Sequence, residues 1–143
     1  MRIAKIIFPL MVMASPAMSD EICPQARHDI LDATLVSADL VEGGIMDQVK
    51  LSFRVHSSLP QEVVMIEAGV QLYDPLGREF SMVWLDPDLH LAADEDTSTQ
   101  VLKTKGTNLD RLLTIDINKV TATVCTTALM FADGTVKDYS KEN

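Results

Sequence analysis

The sequence predicts an all-β fold, an antiparallel sandwich of about seven strands. Three observations predict it. Apolar and polar residues alternate with a period of two along several short runs, turn-forming clusters separate those runs, and two cysteines stand near the chain ends.

The chain opens MRIAKIIFPLMVMASPAMSD, where Arg2 and Lys5 precede an apolar run over residues 6–14. Ala17-Met18-Ser19 then places small residues at the two positions a signal peptidase inspects. The run is shorter than the ~20 residues a membrane-spanning helix needs, and Pro9 interrupts it. We therefore expect a cleaved export signal over residues 1–19 and one domain over residues 20–143. An uncleaved anchor or a buried N-terminal helix is the competing reading. Asp20-Glu21-Ile22 lacks the small residues that would precede a lipidated Cys23. The expected product has no stable membrane anchor and lies in the periplasm or outside the cell.

Cleavage would leave 124 of the 143 residues, the size of one domain. It would also remove four of the eight methionines, so no Met-rich tract suggestive of copper handling survives. The whole chain carries 12 basic and 21 acidic residues, a balance of -9, and loss of Arg2 and Lys5 takes it to -11. Such a charge repels phosphate backbones and anionic headgroups, which argues against nucleic-acid binding. In an oxidising compartment Cys23 and Cys125 most simply form one bridge. In a loop-entropy treatment it would stabilise the fold by roughly 4–5 kcal/mol. Two buried free thiols are the alternative. No Cys-x-x-Cys suggests a metal or redox site.

Along the chain, residues 26–31 could form a short helical turn, and residues 35–41 look extended. Val49, Leu51, Phe53 and Val55 then alternate with Lys50, Ser52, Arg54 and His56. Val63-Val64-Met65-Ile66 is uncharged. It is either a strand buried on both faces, which the run length favours, or an exposed edge able to recruit another strand. Ala68, Val70 and Leu72 alternate with polar neighbours and Gly69. Asp74-Pro75-Leu76-Gly77 carries the residues of a type I turn, so Asp74 is most simply a turn cap. The hairpin continues through residues 79–85, where Phe80, Met82 and Trp84 share a face and point to the core, an exposed Trp84 that stacks on a ligand being the alternative. Val101 and Lys103 form a weaker strand, and Leu113, Ile115 and Ile117 another. Residues 120–131 are rich in Val, Thr and Ala and almost uncharged, as a strand covered on both sides would be.

The segment VKLSFRVHSSLPQEVVMIEAGVQLYDPLGREF resembles the FxLYD-type extracellular domains. Phe53, Val55, Leu72-Tyr73-Asp74 and Gly77 carry the resemblance, which covers residues 35–131. Ser57-Ser58 stands where that family often has an Asn-Ser turn, and residues 91–97 lack its usual Pro-Gly. The resemblance implies an immunoglobulin-like sandwich and no reaction.

The candidate chemistry lies in DPDLHLAADED, residues 86–96. If extended, it projects Asp86, Asp88 and His90 from one side and offers Asp94 and Asp96 in the following turn. Such a set could hold Ca²⁺ through carboxylates and carbonyls, or Zn²⁺ or Cu²⁺ through carboxylate and imidazole. Its spacing matches no EF-hand or His-Glu motif, and the bland reading is a solvated acidic loop. His28, His56 and His90 are far apart in sequence, and no Gly-x-Ser-x-Gly occurs. The expectation is a non-enzymatic, cofactor-free binding module whose partner is another envelope or extracellular protein. Val63, Val64 and Met65 are its candidate contacts, and metal binding by the acidic loop is the alternative.

Overall fold

A computed structural model describes residues 23–142. The expected export signal lies outside the described residues. Seven strands form: β1 (Leu31–Val41), β2 (Gln48–Ser57), β3 (Val63–Tyr73), β4 (Glu79–Trp84), β5 (Asp96–Thr104), β6 (Thr121–Phe131) and β7 (Val136–Asp138). They make two antiparallel sheets, ordered β1-β2-β5 and β4-β3-β6-β7. The all-β sandwich is therefore observed.

Alternation dictates the core on β2. Val49, Leu51, Phe53 and Val55 are almost completely buried, with His56 and Lys50 turned towards solvent. They face Ile66, Ala68, Val70 and Leu72 of β3 and Val124 and Leu129 of β6. Val101 and Lys103 pair with Leu51 and Val49 and share their inner face, as the sequence suggests.

Three bulges in the four-stranded sheet break the period of two and decide what that sheet shows to water. On β3, Val64 is an extra residue between the Val63–Phe131 and Met65–Met130 pairs, so Val63 and Ile66 both point inward. On β6, Thr127 is extra between the partners of Glu67 and Ala68, and its hydroxyl donates to the Glu67 carbonyl at 3.0 Å. On β4, Phe80 is extra between the Ser81–Leu72 and Glu79–Tyr73 pairs. Phe80 and Val83 consequently enter the core while Trp84 turns outward, half exposed at 53%. The expected shared core face of Phe80, Met82 and Trp84 is thus corrected.

The Asp74 turn forms as expected. The Gly77 N–H donates to the Asp74 carbonyl and the Asp74 N–H to the Arg78 carbonyl, both at 2.9 Å. Gly77 sits at φ 75°, the left-handed position of a type I turn closed by a glycine bulge. Asp74 is buried, and its Oδ1 accepts from the Leu76 and Arg78 N–H groups at 2.9 and 3.0 Å. Arg111 reaches its Oδ2 at 3.3 Å. These contacts hold the carboxyl below its usual range, the Arg78 N–H most of all, while burial pulls the other way.

Two further expectations are corrected. Residues 26–30 are bends, not a helical turn, and Arg27 exchanges two backbone hydrogen bonds with Thr126 at 2.8 and 2.9 Å. Thr107–Leu113 and Ile117–Lys119 are short 3-10 segments instead of a strand. Leu109 and Leu112 are the buried residues there, three apart as one 3-10 turn requires, and the Asp116 carboxylate accepts from the Asn118 N–H.

Cys23 and Cys125 are joined, with Cα atoms 5.3 Å apart and a separation of 102 residues. The bridge pins the entering chain beside β6, and it fits an oxidising compartment. Among the described residues no helix is long and apolar enough to cross a membrane.

Candidate functional site: an apolar groove on the four-stranded sheet

A sheet with one wet face should place polar residues there. The outer face of β4-β3-β6-β7 does otherwise. Met65 is the partner of Met130, and Met130 pairs in turn with Val136. Ala128 lies opposite Glu67, and Trp84 opposite Gly69. Met65, Trp84 and Val136 are 42%, 53% and 63% exposed. With Pro87 they line a groove of about 530 Å³, in which Glu67 is the single ionisable side chain.

Gly69 lies beside the groove, opposite Trp84. A β-carbon there would stand 2.6 Å from Met82 Cε and 3.5 Å from Trp84 Cε3. The missing side chain lets both neighbours lie close against the backbone. On β6, Cys125 pairs with Gly69, so the disulfide sits in the same cross-strand row. Gln71 Oε1 lies 3.4 Å from Cys125 Sγ and accepts from the Tyr73 hydroxyl at 2.8 Å. At the bridge, over Val124, Cys125 and Thr126, β6 is buried on both faces; at Ala122, Thr123, Ala128 and Met130 it is only half-buried. The expected burial of residues 120–131 on both faces therefore holds for only part of the strand.

The wall of the groove comes from residues 85–91, which run back along β3. The Leu85 N–H donates to the Ala68 carbonyl at 3.0 Å, the Ile66 N–H to that of Pro87 at 2.9 Å, and Val63 and Leu91 exchange two bonds at 2.9 Å. This covers β3 on the side away from β6. Val63, Val64 and Met65 therefore form no free edge. Val63 is buried, Val64 is half-buried, and Met65 alone of the three reaches the groove.

The same run stretches the acidic loop instead of curling it around an ion. Asp86 accepts from the Asp88 N–H at 3.0 Å, and Leu91 is fully buried as an anchor. His90 Nδ1 lies 3.9 Å from Glu62 Oε1. Asp96 and Asp94 turn to His56 on β2, at 2.8 Å from Nδ1 and 3.9 Å from Nε2. Asp86, Asp88, His90, Asp94 and Asp96 are thus dispersed over three places. Among the described residues no group of three or more His, Cys, Asp or Glu side chains could hold a metal ion. The expected metal set does not converge.

Sequence reasoning favoured the core for Trp84 and missed Met130 and Val136 as surface residues. One signal was present. Ala128-Leu129-Met130-Phe131 is apolar at both parities, a pattern that fits a doubly covered strand and equally a strand with a sticky outer face. No protein-family model, curated protein or solved structure matches the chain.

Proposed function

We propose that this chain is an exported, non-enzymatic β-sandwich module that works by binding another protein of the envelope or extracellular space. The apolar groove on the four-stranded sheet is its contact surface. The observation that carries this reading is the half-exposed Trp84, set among Met65, Met130 and Val136 on a face that water should own. Concave apolar patches with a polar rim mark binding sites, and Trp and Met are enriched where proteins meet.

Two further features support the reading. The division into three and four antiparallel strands, with connections that cross between sheets, fits an immunoglobulin-like module of the FxLYD type. The Cys23–Cys125 bridge, with Arg2 and Lys5 ahead of the apolar residues 6–14, fits export to the periplasm or beyond.

The test is a photo-crosslinking amino acid placed at Met130 in the groove, with Gln100 on β5 as the control. The reading expects one discrete protein adduct from Met130, absent from Gln100 and abolished by Trp84→Asp. The exported chain should also begin at Asp20 by mass. Equal, diffuse adducts from both positions would remove the groove as the contact surface. A product retained in the cytoplasm would remove the export.

A further inference from the structure

We propose that the groove takes a peptide segment of a partner protein in which a lysine or arginine stands among apolar side chains. This rests on the groove being the contact surface and adds the sign of charge that its occupant must carry.

The groove leaves its one lining carboxylate without a cation. Glu67 lines it, and Asp86 and Asp88 flank its Pro87 wall. Among the described residues none of these three has a basic group within 4.0 Å, a state shared with carboxylates elsewhere on the surface such as Asp32 and Glu79, and Glu67 alone of the unpaired carboxylates lines this apolar groove. The lining contains no Lys, Arg or His. A purely apolar occupant would strip water from Glu67 and leave its charge uncompensated. An ammonium or guanidinium group would replace that water with a charge-assisted hydrogen bond.

The same charges disfavour other occupants. A chain with a formal balance of -9 repels anionic headgroups and acidic segments. A second copy docked face to face would bring a second Glu67 into the same interface, because a two-fold contact uses one patch twice.

Trp84 is the only tryptophan of the chain and lies in the groove, so its emission reads occupancy directly. The mature chain is titrated with acetyl-Ala-Leu-Lys-Leu-Arg-Leu-Ala-amide, and with versions in which both basic residues become Gln or Glu. The cationic peptide should bind about tenfold more tightly than the Gln peptide, roughly one charge-assisted contact. The Glu peptide should bind more weakly than either, and 0.5 M salt should narrow the spread, as screening requires. Glu67→Gln with Asp86→Asn should cut the cationic preference while leaving Gln-peptide binding in place.

Equal affinity for the cationic and Gln peptides overturns the charge preference and leaves the groove as a contact surface. Peptides without effect, together with a dimer that Trp84→Asp dissolves in sedimentation, overturn it in favour of a second copy. An emission shift with phosphatidylglycerol vesicles and none with peptides overturns it in favour of lipid. A groove that answers to none of these overturns both the inference and the binding reading beneath it.

Discussion

Gly69 and Trp84 are cross-strand partners, and Trp84 Cε3 lies 3.5 Å from the point a β-carbon on residue 69 would occupy. Met82 Cε lies closer still, at 2.6 Å. The end of Met82 therefore rests where Gly69 has no side chain, and the indole edge stands at van der Waals distance from that point. A side chain larger than a methyl at residue 69 would meet the indole.

Substitution of Gly69 should consequently be read in the indole. Gly69→Ala regains roughly 0.5–1 kcal/mol of strand preference, and its methyl displaces the flexible end of Met82. The expected net change in stability is within about 1 kcal/mol. Gly69→Val adds two more carbons and should push Trp84 further into water, shifting its emission to longer wavelength. An unchanged spectrum in both variants would show that Gly69 does not seat the ring.

The bulge at Phe80 makes a second prediction, because it turns Trp84 out of the core that Phe53 and Phe80 occupy. Phe53 is almost wholly buried in the core, whereas Trp84 is half exposed. Phe53→Ala should cost roughly 3–5 kcal/mol in chemical denaturation, the range for a lost core aromatic. Trp84→Ala should cost about 1 kcal/mol or less. Comparable losses would return Trp84 to the core.

Asp74 predicts how stability falls in acid. Its folded-state carboxyl lies below the usual range, chiefly through the Arg78 N–H, then Leu76 and Arg111. The folded chain thus binds fewer protons there than the unfolded chain, whose Asp titrates near about 3.9. The contribution is complete above that value and is lost as pH falls through the folded-state one. Asp74→Asn should lower stability at pH 7 and lose less of it below about pH 4 than the wild type does. Parallel curves would place the acid response elsewhere, for instance at Asp133 or Asp138, whose carboxyls are also held low.

What the residues announced, and what they concealed, follows from how local each cause is. Val49, Leu51, Phe53 and Val55 alternate because one regular strand faces one core, and the turn at Asp74 is written in four consecutive residues. The bulges at Val64, Phe80 and Thr127 are not local. Each depends on where the partner strand places its hydrogen bonds, so a period-two reading sent Trp84 to the wrong face, and run length alone left residues 63–66 open between a buried strand and an edge. Leu113, Ile115 and Ile117 alternate like a strand, yet Leu109 and Leu112 capture the segment as a 3-10 crossing between sheets. The groove stayed hidden for the same reason: it exists only once β4 and residues 85–91 are aligned on β3.

Thr126 predicts a stabilising substitution. It faces the core opposite Ala68, is fully buried, and its hydroxyl has no hydrogen-bond partner among the described residues. Its backbone is satisfied, since its N–H and carbonyl both pair with Arg27. The polar cost therefore lies in the side chain alone. Thr126→Val keeps the branched shape that suits a strand and removes the orphaned group, whose burial costs about 1–3 kcal/mol. The melting temperature should rise by a few degrees, as about 1 kcal/mol does in a domain of this size. The Cys23–Cys125 bridge and the Arg27 pairing should be untouched, so peptide binding in the groove should not change. A lower melting temperature would mean that the hydroxyl is satisfied in solution and that this corner of the core is wetter than its packing indicates.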